Sequence, residues 1–334
     1  MVIGAIIIGT VAGQAIPNIS EANQHAVVEG PLGCVEIMGR SVVDRMVERF
    51  LAADVEAVTI LANASVALPP LRQSSERVRV HIVGDTGPAV SETLRDYSER
   101  GVGFVFVAQA NVYAECDLIH WIWFHRGTHA AITRACDSKG SLDFWVVDCS
   151  KRDEADISLL LDENVKFDGS SYLISQYVRR VTNPLDLRLL VTDVFRGRCE
   201  MCPSGREIRQ GVWVEAGARI HRRARIVAPA YIGRGARVAE DTLITRCSNL
   251  ESSCSIDYGT VIEDSSVLAD SYVGIWLDVV HAVVKGNKLA NVRRNVVLEI
   301  SDPGVIREKL AVAKRATRYS LPPEGTHSRF ASLD

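Results

Sequence analysis

The sequence predicts an α/β domain followed by a left-handed parallel β-helix. Two observations carry the prediction. Over residues 1–204, apolar runs alternate with amphipathic stretches, the pattern of a mostly parallel sheet covered by helices on both faces. From about residue 205 the hydrophobic period changes to six and holds for more than sixty residues. A chain of 334 residues is long enough for two cores. Its 47% hydrophobic content and net charge of -3 exclude a disordered or fibrous chain.

The first element is the run from Val2 to Val11, VIGAIIIGTV. It is rich in Ile and Val, too short to span a bilayer and not preceded by a basic segment. It is expected to be a central strand buried on both faces. A helix is expected over 41–53, strands over 56–63 and 78–83, and a helix over 90–100. A strand over 101–109, a helix over 118–129 and strands over 130–136 and 143–148 follow. Ligands of such sheets sit at the carboxyl ends of the strands. The loop after AIIIG carries Gly9, Gly13 and Gln14, so that segment is a candidate phosphate-holding loop.

Ile208, Val214, Ile220, Ile226, Ile232, Val238, Ile244, Leu250, Ile256, Ile262 and Leu268 stand six apart. A small side chain follows four residues after each from Val214 to Ile262: Ala218, Ala224, Ala230, Ala236, Thr242, Ser248, Cys254, Thr260 and Ser266. The rule fails at Tyr272. Each hexad is a short strand plus a turn. The aliphatic residue points inward, the small one fits the crowded corner, and three hexads make a coil. The β-helix is assigned to 205–300, with the apolar strands after Gly274 closing its end. A C-terminal region, 301–334, is expected to open with a helix capped by Ser301 or Asp302, with Pro303 in its first turn, and to end in a loose tail.

Eight scattered cysteines argue for reduced thiols and a cytoplasmic protein. Cys199 and Cys202 form one CxxC, but no second pair stands nearby to complete a zinc site. A pI near 6.3 gives no reason to expect nucleic acid or membrane insertion.

An α/β domain followed by hexapeptide repeats resembles the sugar-phosphate nucleotidyltransferases, which make NDP-sugars from NTP and sugar 1-phosphate. The local likeness lies in AIIIG and its loop, in EIMGRSVVDRMVERFLAADVEAVTIL, and in FVFVAQANVYAECDLIHWIWFHR. The resemblance implies a nucleotidyltransferase-like α/β/α domain of Rossmann type over 1–204, a nucleotide or NDP-sugar ligand, and a role near polysaccharide synthesis. Carried over residue by residue, it puts Gly9, Gly13 and Gln14 at the nucleotide, with Ala15 where the family has an arginine. The stretch NQHAVVEGPLG lacks the family's phosphate lysine; the first lysine of the chain is Lys139, and the sequence does not show whether a distant one, such as Lys166, folds back into the pocket. Asn111 falls where the family has its magnesium aspartate, a degenerate metal position. Asp117, six residues on, opens the next helix. Gly87, in VGDTGPAVSETL, matches a second nucleotide-touching turn; otherwise it is an ordinary strand-to-helix turn.

Removing one charge-stabilising group costs about 10²–10³ in rate. Three missing groups imply an impaired enzyme with no assigned catalytic residue. No cofactor is assigned, and Mg²⁺ enters only if the protein is an active transferase. The expectation is a regulatory or scaffolding homologue, homo-oligomeric or paired with an active paralogue. An active NDP-sugar synthase with non-standard residues is the alternative. A hexapeptide acyltransferase using His221 or His281 as base is a further one. Trp121, Trp123 and Phe124, beside His120, His125 and His129, are read as core packing with solvated histidines. The arginines of IHRRARI, with Arg219, Arg234 and Arg237, cluster on one side of the coils.

Overall fold

The computed structural model describes residues 2–9, 27–28, 30–63, 68, 71–72, 75–154, 167 and 169–309. In chain order the first half contains β1 (Ile3–Gly9), α1 (Val42–Ala52), β2 (Ala57–Ala62), β3 (Val78–Ile82), α2 (Thr86–Glu99), β4 (Phe104–Gln109) and β5 (Val112–Ala114). It continues with α3 (Leu118–Thr128), β6 (Ile132–Asp137), β7 (Gly140–Asp148), β8 (Ser171–Leu173), β9 (Val178–Arg180) and α4 (Pro184–Phe195).

The helices begin where capping chemistry puts them. Ser41 Oγ accepts the Asp44 N–H at 3.0 Å, Asp85 the Gly87 N–H at 3.1 Å, Asp117 the His120 N–H at 2.8 Å and Asn183 the Asp186 N–H at 2.9 Å. Helix α2 therefore starts four residues before the sequence expectation, with Pro88 in its first turn, where a missing N–H costs nothing.

A seven-stranded sheet runs β3-β2-β1-β4-β7-β6-β8. It is parallel from β3 through β4 and between β6 and β8. Strand β7 opposes both β4 and β6. The antiparallel step follows from the turn at Asp137–Gly140, far too short for a parallel crossover. Strand β1 is buried along its whole length. Its alternate residues feed two cores: Ile3, Ala5 and Ile7 join Val43, Val47, Phe50 and Phe106, while Ile6 and Ile8 join Val90, Leu94 and Tyr97. Each buried Ile, Val, Leu or Phe among them contributes about 1.5–3 kcal/mol.

In the second half, short strands form three parallel walls that the chain visits in strict rotation. The first wall comprises Val212–Val214, Ala230–Ile232, Ser248–Leu250, Ser266–Val267 and Ala282–Lys285. The second comprises Arg219–Ile220, Arg237–Val238, Ser255–Ile256 and Ser271–Val273, and the third Arg225–Ile226, Leu243–Thr245, Val261–Glu263 and Asp278–Val280. Ile232, Val238, Ile244, Leu250, Ile256 and Ile262 are all buried and stack between the walls, as the period-six pattern predicts.

The repeat fails at both of its predicted ends. Ile208 lies in an antiparallel hairpin strand, Arg206–Arg209, and is exposed. Leu268 is not in the inward row, because the turn after Ile262 is one residue short. Leu250 pairs with Val267, Ile256 with Val273 and Ile262 with Val279, so the spacing drops from eighteen to seventeen. The small-residue row shifts with it, from Cys254 to Ser271, which accounts for the apparent failure at Tyr272. Ser248 Oγ bonds to Ile262 O at 3.2 Å and Ser265 Oγ to Val279 O at 3.1 Å, so buried corner hydroxyls tie one turn to the next.

The expected helix after Ser301 is not formed over its described residues. Ile306–Glu308 is instead a strand antiparallel to Ser271–Val273. It caps the open edge of the second wall and buries Ile306, a gain in pairing and apolar area that outweighs local helix propensity. Residues 310–334, the rest of the expected helix and tail, lie outside the described residues. No described helix is long and apolar enough to cross a membrane.

Candidate functional site

At the carboxyl edge of the sheet, Gly9 ends β1 level with Ala62 of β2. Ala110 N–H bonds back to Ile8 O at 2.9 Å, which sets Asn111 beside that end. A short 3₁₀ turn, Leu32–Cys34, lies against it. Gly33 N–H donates to Asn111 Oδ1 at 3.4 Å, and Asn111 O accepts Val181 N–H at 2.7 Å. The approach demands a glycine: a Cβ on Gly33 would sit 1.7 Å from Ala110 O. Burial pushes the adjacent Cys34 thiol up to about 12, so it is not a nucleophile.

Gly87 lies in the first turn of α2, beyond the carboxyl end of β3, with its N–H held by Asp85. The fold thus brings Gly9, Asn111 and Gly87 to one edge of the sheet. Gly13, Gln14, Ala15 and Lys166 lie outside the described residues. The described residues at this edge do not make up a magnesium site. Asn111 is neutral and its amide oxygen already has a donor. Among the described residues no group of three or more His, Cys, Asp or Glu side chains could hold a metal ion.

No family model and no curated protein matches this chain.

A second concentration of chemistry joins the two halves, and the sequence reading missed it. Glu251 is fully buried, and its carboxylate accepts Met38 N–H at 2.7 Å, Gly39 N–H at 2.9 Å and Asn249 Nδ2 at 2.6 Å. Burial raises its pKa to about 7 against those three donors, and the nearby Glu36 adds to the rise. Glu36 accepts the Ser252 hydroxyl. Glu215 pairs with Arg72, whose Nη2 also bonds Gly39 O at 3.0 Å. Tyr231 is buried among these carboxylates. Its hydroxyl has no hydrogen-bond partner among the described residues, and burial, then Glu251, Glu215 and Glu36, push its pKa up.

The network continues through α4. Arg188 donates to Asn249 Oδ1 at 2.9 Å, Ser266 Oγ at 2.8 Å, Cys247 O at 2.8 Å and Asp264 Oδ1 at 2.9 Å. Asp264 also meets His281 Nδ1 at 2.5 Å. Burial raises the Asp264 pKa, but Arg188 and His281 outweigh it and hold the carboxyl below its usual range. A sequence signal for this junction existed. The outward positions of the first wall are Trp213, Tyr231, Asn249, Ser266 and Val283, without a charge, whereas those of the second begin with Arg219 and Arg237.

The remaining candidates resolve simply. Trp121 is core, stacked on Tyr172 at 5.2 Å, as expected. Trp123 and Phe124 are exposed instead. His125 is buried rather than solvated, bonded to Thr133 Oγ1 at 3.0 Å, and burial lowers its pKa to about 4. His221 is exposed, its Nδ1 accepting the Arg223 N–H at 3.3 Å; His281 belongs to the Arg188 network. His281 faces Asp264, whose carboxylate Arg188 also holds. Cys199 is half-buried, Cys202 exposed, and both are free thiols.

Proposed function

We propose that this protein is a sugar-nucleotidyltransferase-like regulator or scaffold. In this reading its first half is a Rossmann-type α/β domain holding a nucleotide or NDP-sugar at the carboxyl edge of the sheet. Its second half is a left-handed β-helix through which copies associate. The observation that carries the reading is Asn111. Beside the end of β1, at the position matching a metal carboxylate, stands a neutral amide already engaged by Gly33 N–H. Backbone groups at Gly9 and the first turn of α2 can approach a phosphate, while the carboxylate described there, Asp85, is engaged by Gly87 N–H and belongs to no group of three metal ligands among the described residues. Binding without turnover follows, since nucleotidyl transfer depends on neutralising developing charge. The rotation of the chain through three parallel walls supports the β-helix reading.

The test is thermal unfolding of the full chain with NTPs, sugar 1-phosphates, NDP-sugars and acetyl-CoA, each with and without magnesium. A ligand at a hundred times its dissociation constant adds about 2.7 kcal/mol. A nucleotide or NDP-sugar should raise the midpoint equally with and without magnesium. Pyrophosphate release from NTP and sugar 1-phosphate would establish an active transferase instead. A shift by acetyl-CoA alone would move the chemistry to the coils.

A further inference from the structure

One corner of the coils, between the second and third walls, carries an uncovered cation at one end and uncovered aromatics at the other. Arg222 and Arg223 occupy it in the first turn, Glu240 and Asp241 in the second, Tyr258 and Gly259 in the third, and Ile275 and Trp276 in the fourth. Backbone bonds stack them: Gly259 N–H to Glu240 O at 3.1 Å and Trp276 N–H to Tyr258 O at 3.0 Å.

Toward the middle of this ridge Arg223 pairs with both Glu240 at 2.5 Å and Asp241 at 2.8 Å, one guanidinium against two carboxylates. The ends hold no such ion pair among the described residues. Arg222 is exposed and has no ion-pair partner among the described residues. Trp276 is 69% exposed and Ile275 57%. Tyr258 meets the Trp276 ring edge to face, with centroids 5.3 Å apart. The indole packs closely on the turn before it. Trp276 shares the left-handed backbone of this corner, φ 53° beside 56° at Asp241 and 68° at Gly259, and a Cβ on Gly259 would lie 2.9 Å from its ring.

We propose that this ridge is a self-complementary docking surface for a second copy of the chain, packed antiparallel about a two-fold axis. The axis crosses the ridge between the second and third turns. Arg222 of each copy then lies over the Tyr258–Trp276 pair of the other, a cation on aromatic faces made twice. Parallel packing would instead set Arg222 against Arg222. The exposed Ile275 beside the indole suits an apolar protein contact. The inference rests on the reading that the coils associate, and is independent of nucleotide binding.

Analytical ultracentrifugation of the full chain over a concentration series tests it. The wild type should dimerise. Arg222→Glu and Trp276→Arg should each raise the dissociation constant at least about tenfold. Circular dichroism checks that both remain folded, with Trp276→Ala as a milder replacement. An equimolar mixture of the two variants should recover tight pairing. One symmetric contact then joins the introduced carboxylate to the introduced guanidinium, while the other is wild type. A dimer unaffected by either variant, or a mixture no tighter than its components, overturns the ridge but leaves association through another face. A wild type that stays monomeric throughout overturns both.

Discussion

Gly33 and Tyr231 show how a single atom decides behaviour at the places where the chain crosses itself. A methyl at Gly33 meets a backbone carbonyl, which cannot step aside as a side chain could. Gly33→Ala is therefore expected to destabilise by about 3 kcal/mol, read as a lowered denaturant midpoint. Tyr231 behaves in the opposite sense. Its ring fills the junction, but its buried hydroxyl lacks a partner among the described residues. Tyr231→Phe should leave stability unchanged or raise it by about 1 kcal/mol, whereas Tyr231→Ala should open a cavity and cost about 3–5 kcal/mol. Equal losses in both variants would mean that the hydroxyl is bonded after all. Neither residue announced itself in sequence: Gly33 stands in no motif, and Tyr231 falls between the period-six positions. What gives each its role is a neighbour distant in the chain.

Among the elements, α4 holds the coils through a polar anchor, Arg188, beside Leu187, Leu190 and Val191, which share a core with Tyr231 and Val283. Arg188 is 3% exposed and reaches four oxygens spread over two turns of the first wall and the corners beside it. Arg188→Met keeps the volume but removes four hydrogen bonds and leaves Asp264 with His281 alone, so a loss of about 3 kcal/mol is expected in thermal or denaturant unfolding. The double variant Arg188→Met, Asp264→Asn should recover part of it. The inward rows of the coils were legible because a buried stack admits only aliphatic or small residues, and the period of six exposes that restriction directly. The same logic failed at Leu268 and after Ser301. A turn shortened by one residue leaves no mark in hydrophobicity when Val267 and Leu268 are adjacent, and a strand that completes a wall edge can be spelled like a helix. In the first half, β1 to β4, β6, β7 and α1 to α3 were legible from periodicity, whereas the short strands β5, β8 and β9 and the helix α4 were not read. The candidate site was only partly so: Gly9, Gly87 and Asn111 share an edge, while the turn at Leu32–Cys34 that meets Asn111 gave no motif.

For the whole molecule, the junction makes stability depend on pH. Glu251 has a folded pKa of about 7 against an ordinary 4.5. Between those values the folded state keeps a proton that the unfolded chain has released. Its contribution is therefore full below about 4.5 and lost as pH rises through about 7, a change of about 3 kcal/mol. Asp264, with its depressed pKa, acts oppositely and only in acid, losing stability as pH falls below its unfolded value of 3.8. Calorimetric midpoints should fall between about pH 5 and pH 8 for the wild type and stay nearly level for Glu251→Gln. Parallel slopes for the two proteins would remove Glu251 as the cause. The junction also answers a question that stacked repeats usually leave open, which is where to stop. A parallel stack has no intrinsic length, since every turn offers its edge to another. Here the first half grips the stack at several heights at once: Arg72 on Glu215, Met38 and Gly39 on Glu251, Arg188 on Asp264. It acts as a caliper, with jaws set to a fixed number of rungs about 4.8 Å apart. A rung duplicated beyond Val284 would lie outside the jaws, whereas one inserted between Glu215 and Glu251 would force them open. The number of turns between Glu215 and Asp264 is thus held by the domain that grips them, while antiparallel strands close the walls at their ends.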